Sequence, residues 1–151
     1  MRKNNKQKGF SLIELLIVVA IILIIAAIAI PNLMRSKMAA NEASAVASLR
    51  TINTSSVSYS TTYGPFPTAL SNLAPSSTPS STAADLVDSV LATGTKSGYT
   101  FSMSGTGTLY TVNADPVSSS TGQRHFFTDQ SLVIRANTST TATVSDNPIG
   151  Q

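Results

Sequence analysis

The sequence predicts an α+β protein in which one long amino-terminal helix, kinked near Pro31, packs by its second half against a small antiparallel β-sheet. Three observations carry this reading. Residues 10–30 form an apolar run broken only by Ser11 and Glu14. A helix-forming segment follows to residue 63, with apolar residues at intervals of three, four and seven. Residues 98–136 alternate apolar with polar side chains, separated by turn signals.

The apolar run comes first. As a helix it measures ~32 Å at about 1.5 Å per residue, the hydrocarbon thickness of a bilayer. It has no polar face to offer water, so it belongs in lipid or in a bundle of its own kind. Pro31 lacks an N–H and disfavours helix at Ile30, so a kink or interruption is expected there. Residues 31–63 still read as helix, with Val46, Leu49, Ile52, Tyr59 and Tyr63 forming the stripe that faces the sheet. Both halves together measure ~80 Å if continuous, a spine rather than the core of a compact enzyme.

Tyr63-Gly64-Pro65-Phe66-Pro67 ends the helix. A polar loop over residues 68–82 precedes a short helix expected at 83–93, with Leu86, Val87, Val90 and Leu91 on one side and Gly94 as its stop. Tyr99, Phe101 and Met103 pair with Tyr110, Val112 and Ala114 in a first hairpin about the 105–107 turn. Residues 124–128 and 132–136 make a second hairpin. The Ser/Thr-rich tail after Asn137 is expected to be loosely packed. The domain plan is therefore a leader at 1–9, an apolar helix at 10–30, the second half of the spine at 31–63 and a head at 64–151.

Charge narrows the class of partner. The 151-residue chain has ten Lys and Arg against seven Asp and Glu, and a net charge of +3. Four of those cations, Arg2, Lys3, Lys6 and Lys8, precede Phe10, which leaves six basic residues against seven acidic ones in the remainder. The basic character belongs to the leader, and no nucleic-acid groove is expected. Cations ahead of an apolar run hold that end in the cytoplasm, so the head should face outward. The absence of cysteine excludes thiol catalysis, zinc–thiolate sites and disulfides. Ala27-Ile28-Ala29 formally resembles a secretory cleavage site, but the run is too long for an ordinary signal peptide and Glu14 is atypical of one.

Glu14 is the main functional clue. A carboxylate on an isolated membrane helix costs roughly 2.5–3.5 kcal/mol near the bilayer centre and less towards the end. A snorkelling interfacial acid is the plain reading. The functional reading is that it awaits a cation: cutting after Gly9 frees an α-amino group on Phe10, one turn from Glu14. Amine and acid then neutralise each other within a subunit, or between subunits stacked with an axial offset.

Lys8-Gly9-Phe10-Ser11-Leu12-Ile13-Glu14-Leu15, with a basic leader before it and an apolar run to Pro31 after it, resembles the class III signal of type IV prepilins. Type IV pilins and the pseudopilins of type II secretion share that signal, and the resemblance covers residues 1 to about 35. It implies cleavage by prepilin peptidase between Gly9 and Phe10 and N-methylation of Phe10. It also assigns assembly roles to Glu14 and Pro31. The implied protein is a single-pass inner-membrane precursor that polymerises through residues 10–30 into an extracellular filament. The partners implied are further copies of itself, minor pilins, the inner-membrane platform protein and a cytoplasmic ATPase. Leu23 departs from the pattern, since many relatives have glycine there. Adhesion and motility are properties of such filaments once assembled. The alternatives are a type II secretion pseudopilin and, more distantly, a signal-anchored extracytoplasmic binding domain.

No catalytic residue, metal site or cofactor is expected. His125, the sole histidine, alternates with Phe126 and is read as a surface side chain. No G-x-S-x-G, P-loop, Rossmann or H-E-x-x-H pattern occurs. Asp115, Asp129 and Asp146 are candidate calcium ligands. The calcium loop of major pseudopilins has a Trp-Gly-x-Pro-Tyr-like stretch that this Trp-free chain lacks, so scattered surface acids are the better reading. Asn53 and Asn137 each open an N-glycosylation triplet of a kind common by chance. Tyr59 and Tyr63 are read as packing residues, not as steps in electron transport.

Overall fold

A computed structural model describes residues 9–150. The elements in order are helix α1 (Leu12–Tyr63), a 3-10 turn (Leu70–Leu73), helix α2 (Ser89–Ala92) and strands β1 (Thr95–Lys96), β2 (Tyr99–Gly105), β3 (Tyr110–Pro116), β4 (His125–Asp129) and β5 (Arg135–Asn137). The chain divides into two compact units, Met1–Ser36 and Lys37–Gln151. The expected leader, with Arg2, Lys3, Lys6 and Lys8, lies outside the described residues except for Gly9.

In the first unit the helix is apolar from Leu15 to Ile30. Helical structure continues through Pro31, although the missing N–H deprives the Ala27 carbonyl of its usual donor. Its 18 most apolar residues have a mean hydropathy of 3.3, and none of that window is buried. By length and composition this is a helix able to cross a membrane.

In the second unit α1 turns Glu42, Ala45, Leu49, Ile52, Asn53, Ser56 and Tyr59 towards the core, while Val46 and Tyr63 pack at its edge. The helix reaches Tyr63 despite its Ser and Thr content. Thr54, Thr61 and Thr62 donate their hydroxyls to the carbonyls four residues back, and Gly64 at φ 93° ends the last turn.

The five strands form one antiparallel sheet in sequence order. Phe101 pairs with Ala114 and Met103 with Val112, and Ala114 pairs in turn with Phe126. Tyr99, Phe101, Tyr110, Val112, Ala114 and Phe126 join the buried face of α1 in one core.

Three expectations need correction. The helix expected at 83–93 is only Ser89–Ala92. Residues 84–87 are drawn out instead against the 3-10 turn, with the N–H groups of Ala84, Asp85 and Leu86 donating to the carbonyls of Asn72, Ala74 and Leu73. Asp88 then caps α2 by accepting the Leu91 N–H at 2.9 Å. The second hairpin spans 125–129 and 135–137, because Ser131 and Leu132 bond back to Asp129 and lengthen the turn. The tail is packed, not loose. Its Ala142 is buried and accepts from Asn113, and Ile149 donates to the Ile134 carbonyl at 2.9 Å. Cover from the tail explains why four consecutive residues of β4, Phe126 to Asp129, are buried.

Candidate functional site

The candidate site is the start of α1 and the apolar surface that follows. Gly9 precedes the helix, and a Cβ built there meets nothing within 4 Å. Phe10 is 76% exposed. Ser11 occupies the cap position: its carbonyl accepts the Leu15 N–H at 3.2 Å, and its own N–H donates to Glu14 Oε2 at 2.8 Å. That second bond is one half of a capping box. Glu14 thus has a partner in its own chain, one N–H that the helix start would otherwise leave unsatisfied. The Ser-x-x-Glu spacing of residues 11–14 is the sequence signal for this contact.

Beyond Glu14 the surface is aliphatic on every side. Leu15, Leu16, Ile22, Leu23, Ile25, Ile28 and Ile30 are each more than half exposed. Such a surface is not a state that water tolerates over this length. Pro31 stands within the helix at the end of the run, and at Ser36 a hydroxyl donates to the Asn32 carbonyl at 3.0 Å.

The head positions its polar groups for structure. Glu42 accepts the Gln123 N–H at 2.9 Å, the Arg124 N–H at 3.2 Å and the Arg124 Nε–H at 2.8 Å. Burial alone would raise this carboxyl, but the three donors outweigh it and hold Glu42 below its ordinary range. Tyr99 donates to the Arg124 carbonyl at 2.8 Å, and burial followed by the Glu42 charge pushes its phenol up to about 12. Deeper in, Asn53 joins helix to sheet. It donates to Thr128 Oγ1 at 2.9 Å and accepts from the Tyr110 hydroxyl at 3.1 Å.

His125 is half-buried, not free at the surface. The β3–β4 register sets it opposite Asp115, and its Nδ1 lies 2.6 Å from Asp115 Oδ1. The three candidate calcium ligands do not converge: Asp115 faces His125, Asp129 accepts from Ser131, and Asp146 accepts from Asn137 and Thr143. Among the described residues no group of three or more His, Asp or Glu side chains is placed to hold a metal ion. Neither triplet asparagine presents a free amide. Asn53 is buried in the helix, and the Asn137 amide bridges Asp146 to Ser139. The Tyr59 ring lies 4.8 Å from that of Tyr63, tilted by 46°, and its hydroxyl donates to the Ser81 carbonyl.

The chain thus carries an apolar helical segment of membrane length, with an acid in its first turn, and a small α+β unit. Residues 4–30 match the family profile described as the prokaryotic N-terminal methylation motif. The chain is 45% identical over 58 residues to the type IV major pilin protein PilA of Myxococcus xanthus, covering 38% of this chain and 26% of that protein. It is 63% identical over 35 residues to the type IV wide pilus major component PilA4 of Thermus thermophilus, covering 23% of this chain and 27% of that one. It is also 41% identical over 49 residues to type II secretion system core protein G of Escherichia coli, covering 32% and 34% of the two chains. The matches thus span between about a quarter and a third of each relative's length. No solved structure matches the chain. Over these amino-terminal segments the chain is distantly similar to type IV pilins and to a type II secretion pseudopilin.

Proposed function

We propose that the chain is the structural subunit of a type IV pilus, made as a membrane-anchored precursor and polymerised through residues 10–30. The observation that carries this reading is the exposed aliphatic surface of α1 over residues 15–30, with Glu14 at its start. Lipid satisfies such a surface before assembly, and a bundle of identical helices satisfies it afterwards. Prepilin peptidase cuts between Gly9 and Phe10 and methylates the new amine. That amine then competes with the Ser11 N–H for the Glu14 carboxylate, either in its own chain or in a neighbour. The precursor's amino terminus lies in the cytoplasm, and the finished filament stands outside the cell. A platform protein of the inner membrane and minor pilins complete the assembly.

Two measurements test this. Amino-terminal sequencing of the mature chain should begin at N-methyl-Phe10, and filaments sheared from cells should contain the chain. A mature protein that retains Met1 or begins after Ala29 overturns the reading.

A pseudopilin of a type II secretion system is the second reading, favoured by the similarity to core protein G. It predicts the same cleavage, no surface fibre, and loss of protein secretion when the gene is deleted.

A further inference from the structure

Fibre growth needs two unlike patches on each subunit that fit one another, because a contact of that kind repeats without closing. The Lys37–Gln151 unit carries such a pair.

The first patch is a hollow of about 240 Å³ lined by Arg50, Leu132, Ile134, Pro148 and Ile149. Leu132 is 48% exposed and holds φ 65°. Glycine or asparagine takes that left-handed conformation readily, whereas leucine takes it at a steric cost. With its side chain half in water, nothing inside the unit accounts for an apolar residue there.

The second patch is Asp85. It is exposed, holds φ 56°, and uses only its backbone N–H, which donates to the Ala74 carbonyl at 2.9 Å. Val90, 54% exposed, follows in the same segment.

Charge connects the two patches. Among the described residues of this unit, Glu42 is paired with Arg124, Asp88 with Lys96 and Asp115 with His125. Asp129 is buried against Ser131, Asp146 is bound by Thr143 and Asn137, and Arg135 donates to the Asp146 carbonyl. Asp85 is then an exposed carboxylate without a partner, and Lys37 and Arg50 are exposed cations without one. Of these two cations, only Arg50 borders the hollow.

Geometry suits a repeating contact. Asn53 donates to the Leu132 carbonyl, and Ser55 donates to the Leu86 carbonyl. Side chains two residues apart on a helix project about 200° apart. The hollow and the acid therefore flank α1 on opposite sides.

We propose that Asp85 of one copy of this chain docks at the Arg50–Leu132 hollow of the next. The contact is head to tail and joins neighbouring heads in the fibre, so it rests on the filament reading above.

The chain has no cysteine, so a variant carrying Asp85→Cys and Arg50→Cys has only two thiols. Sheared filaments of that variant, treated with a short bismaleimide, should give a ladder of dimers, trimers and higher species, and filaments of either single variant should give none. Filaments that form without a ladder overturn the contact and leave the filament reading standing. Wild-type cells that make no filament overturn the filament reading and the contact with it. Charge exchange covers a double-cysteine variant that fails to assemble. Asp85→Arg and Arg50→Asp should each lower filament yield about tenfold, and their combination should restore it. Equal yields from all three overturn the contact.

Discussion

Arg124 Nε donates to Glu42 Oε2 at 2.8 Å across 82 residues of sequence, and the same carboxylate accepts the Gln123 and Arg124 N–H groups. One acid on α1 thereby ties down the turn that leads into β4. Arg124 is half-exposed, so the ion pair itself is screened. The backbone bonds to a buried carboxylate carry most of the effect. Glu42→Ala should lower stability by about 1–3 kcal/mol. Thermal unfolding of the full chain in detergent should show it as a fall of about 2–4 °C per kcal/mol.

The pH profile should have limits on both sides. Glu42 is held below its ordinary value of 4.5, so its contribution is present above that value and is lost as the medium is acidified through the folded-state pKa. Tyr99 and Tyr110, pushed from 10.0 up to about 12 chiefly by burial, act in the opposite sense. Their contribution is complete below pH 10 and is lost as pH rises towards 12. Unfolding midpoints taken from about pH 3 to about pH 11 should form a plateau with two falling limbs, and Glu42→Gln should flatten the acid limb only.

Asn53→Ala should destabilise the head by about 2–3 kcal/mol, because it strands the Tyr110 and Thr128 hydroxyls in the core. Tyr110→Phe alone should cost less. A double-mutant cycle measured by denaturant unfolding should give a coupling of about 0.5–3 kcal/mol. Strict additivity would refute the network.

Gly122 is buried, and a Cβ there would meet the Tyr99 ring at 2.7 Å. Gly122→Ala should therefore displace Tyr99 from the Arg124 carbonyl and cost about 1–3 kcal/mol. Tyrosine fluorescence and the melting temperature should change together.

Glu14→Val should abolish or cripple filament assembly and leave membrane insertion intact, since it removes the acid and adds apolar surface. Normal filament yield from that variant would remove Glu14 from assembly. Gly9→Ser, or a bulkier residue there, should leave the precursor uncut. A Cβ at Gly9 meets nothing, so that defect would lie with the peptidase and not with folding. Immunoblotting for precursor and mature forms separates the two.

Legibility differed along the chain. The apolar run, the stripe through Leu49 and Ile52 and the alternation from Tyr99 to Ala114 were plain, because each is a local pattern imposed by one exposed or buried face. The 83–93 helix was misread because the spacing of Leu86, Val87, Val90 and Leu91 suits a helix locally. Its first half is claimed by hydrogen bonds to Leu73 and Ala74, which no local pattern encodes. His125 was read as a surface residue because alternation tells which side a residue faces, not what faces it across the sheet. Asp115 stands ten residues away.

By itself the sequence determined the α+β class and the membrane-length helix. Composition and short-range spacing suffice for these, since each is set by solvent preference or by chemistry within a few residues. Only the tertiary structure decided that Glu42 serves the β4 turn, that Asn53 bridges helix and sheet, and that the Ser/Thr-rich tail is a cover for β4. It also decided that Asp85 and Arg50 are left without an ion-pair partner among the described residues. Those are pairings between distant residues, and a polar side chain shows its partner only once the backbone has brought the two together.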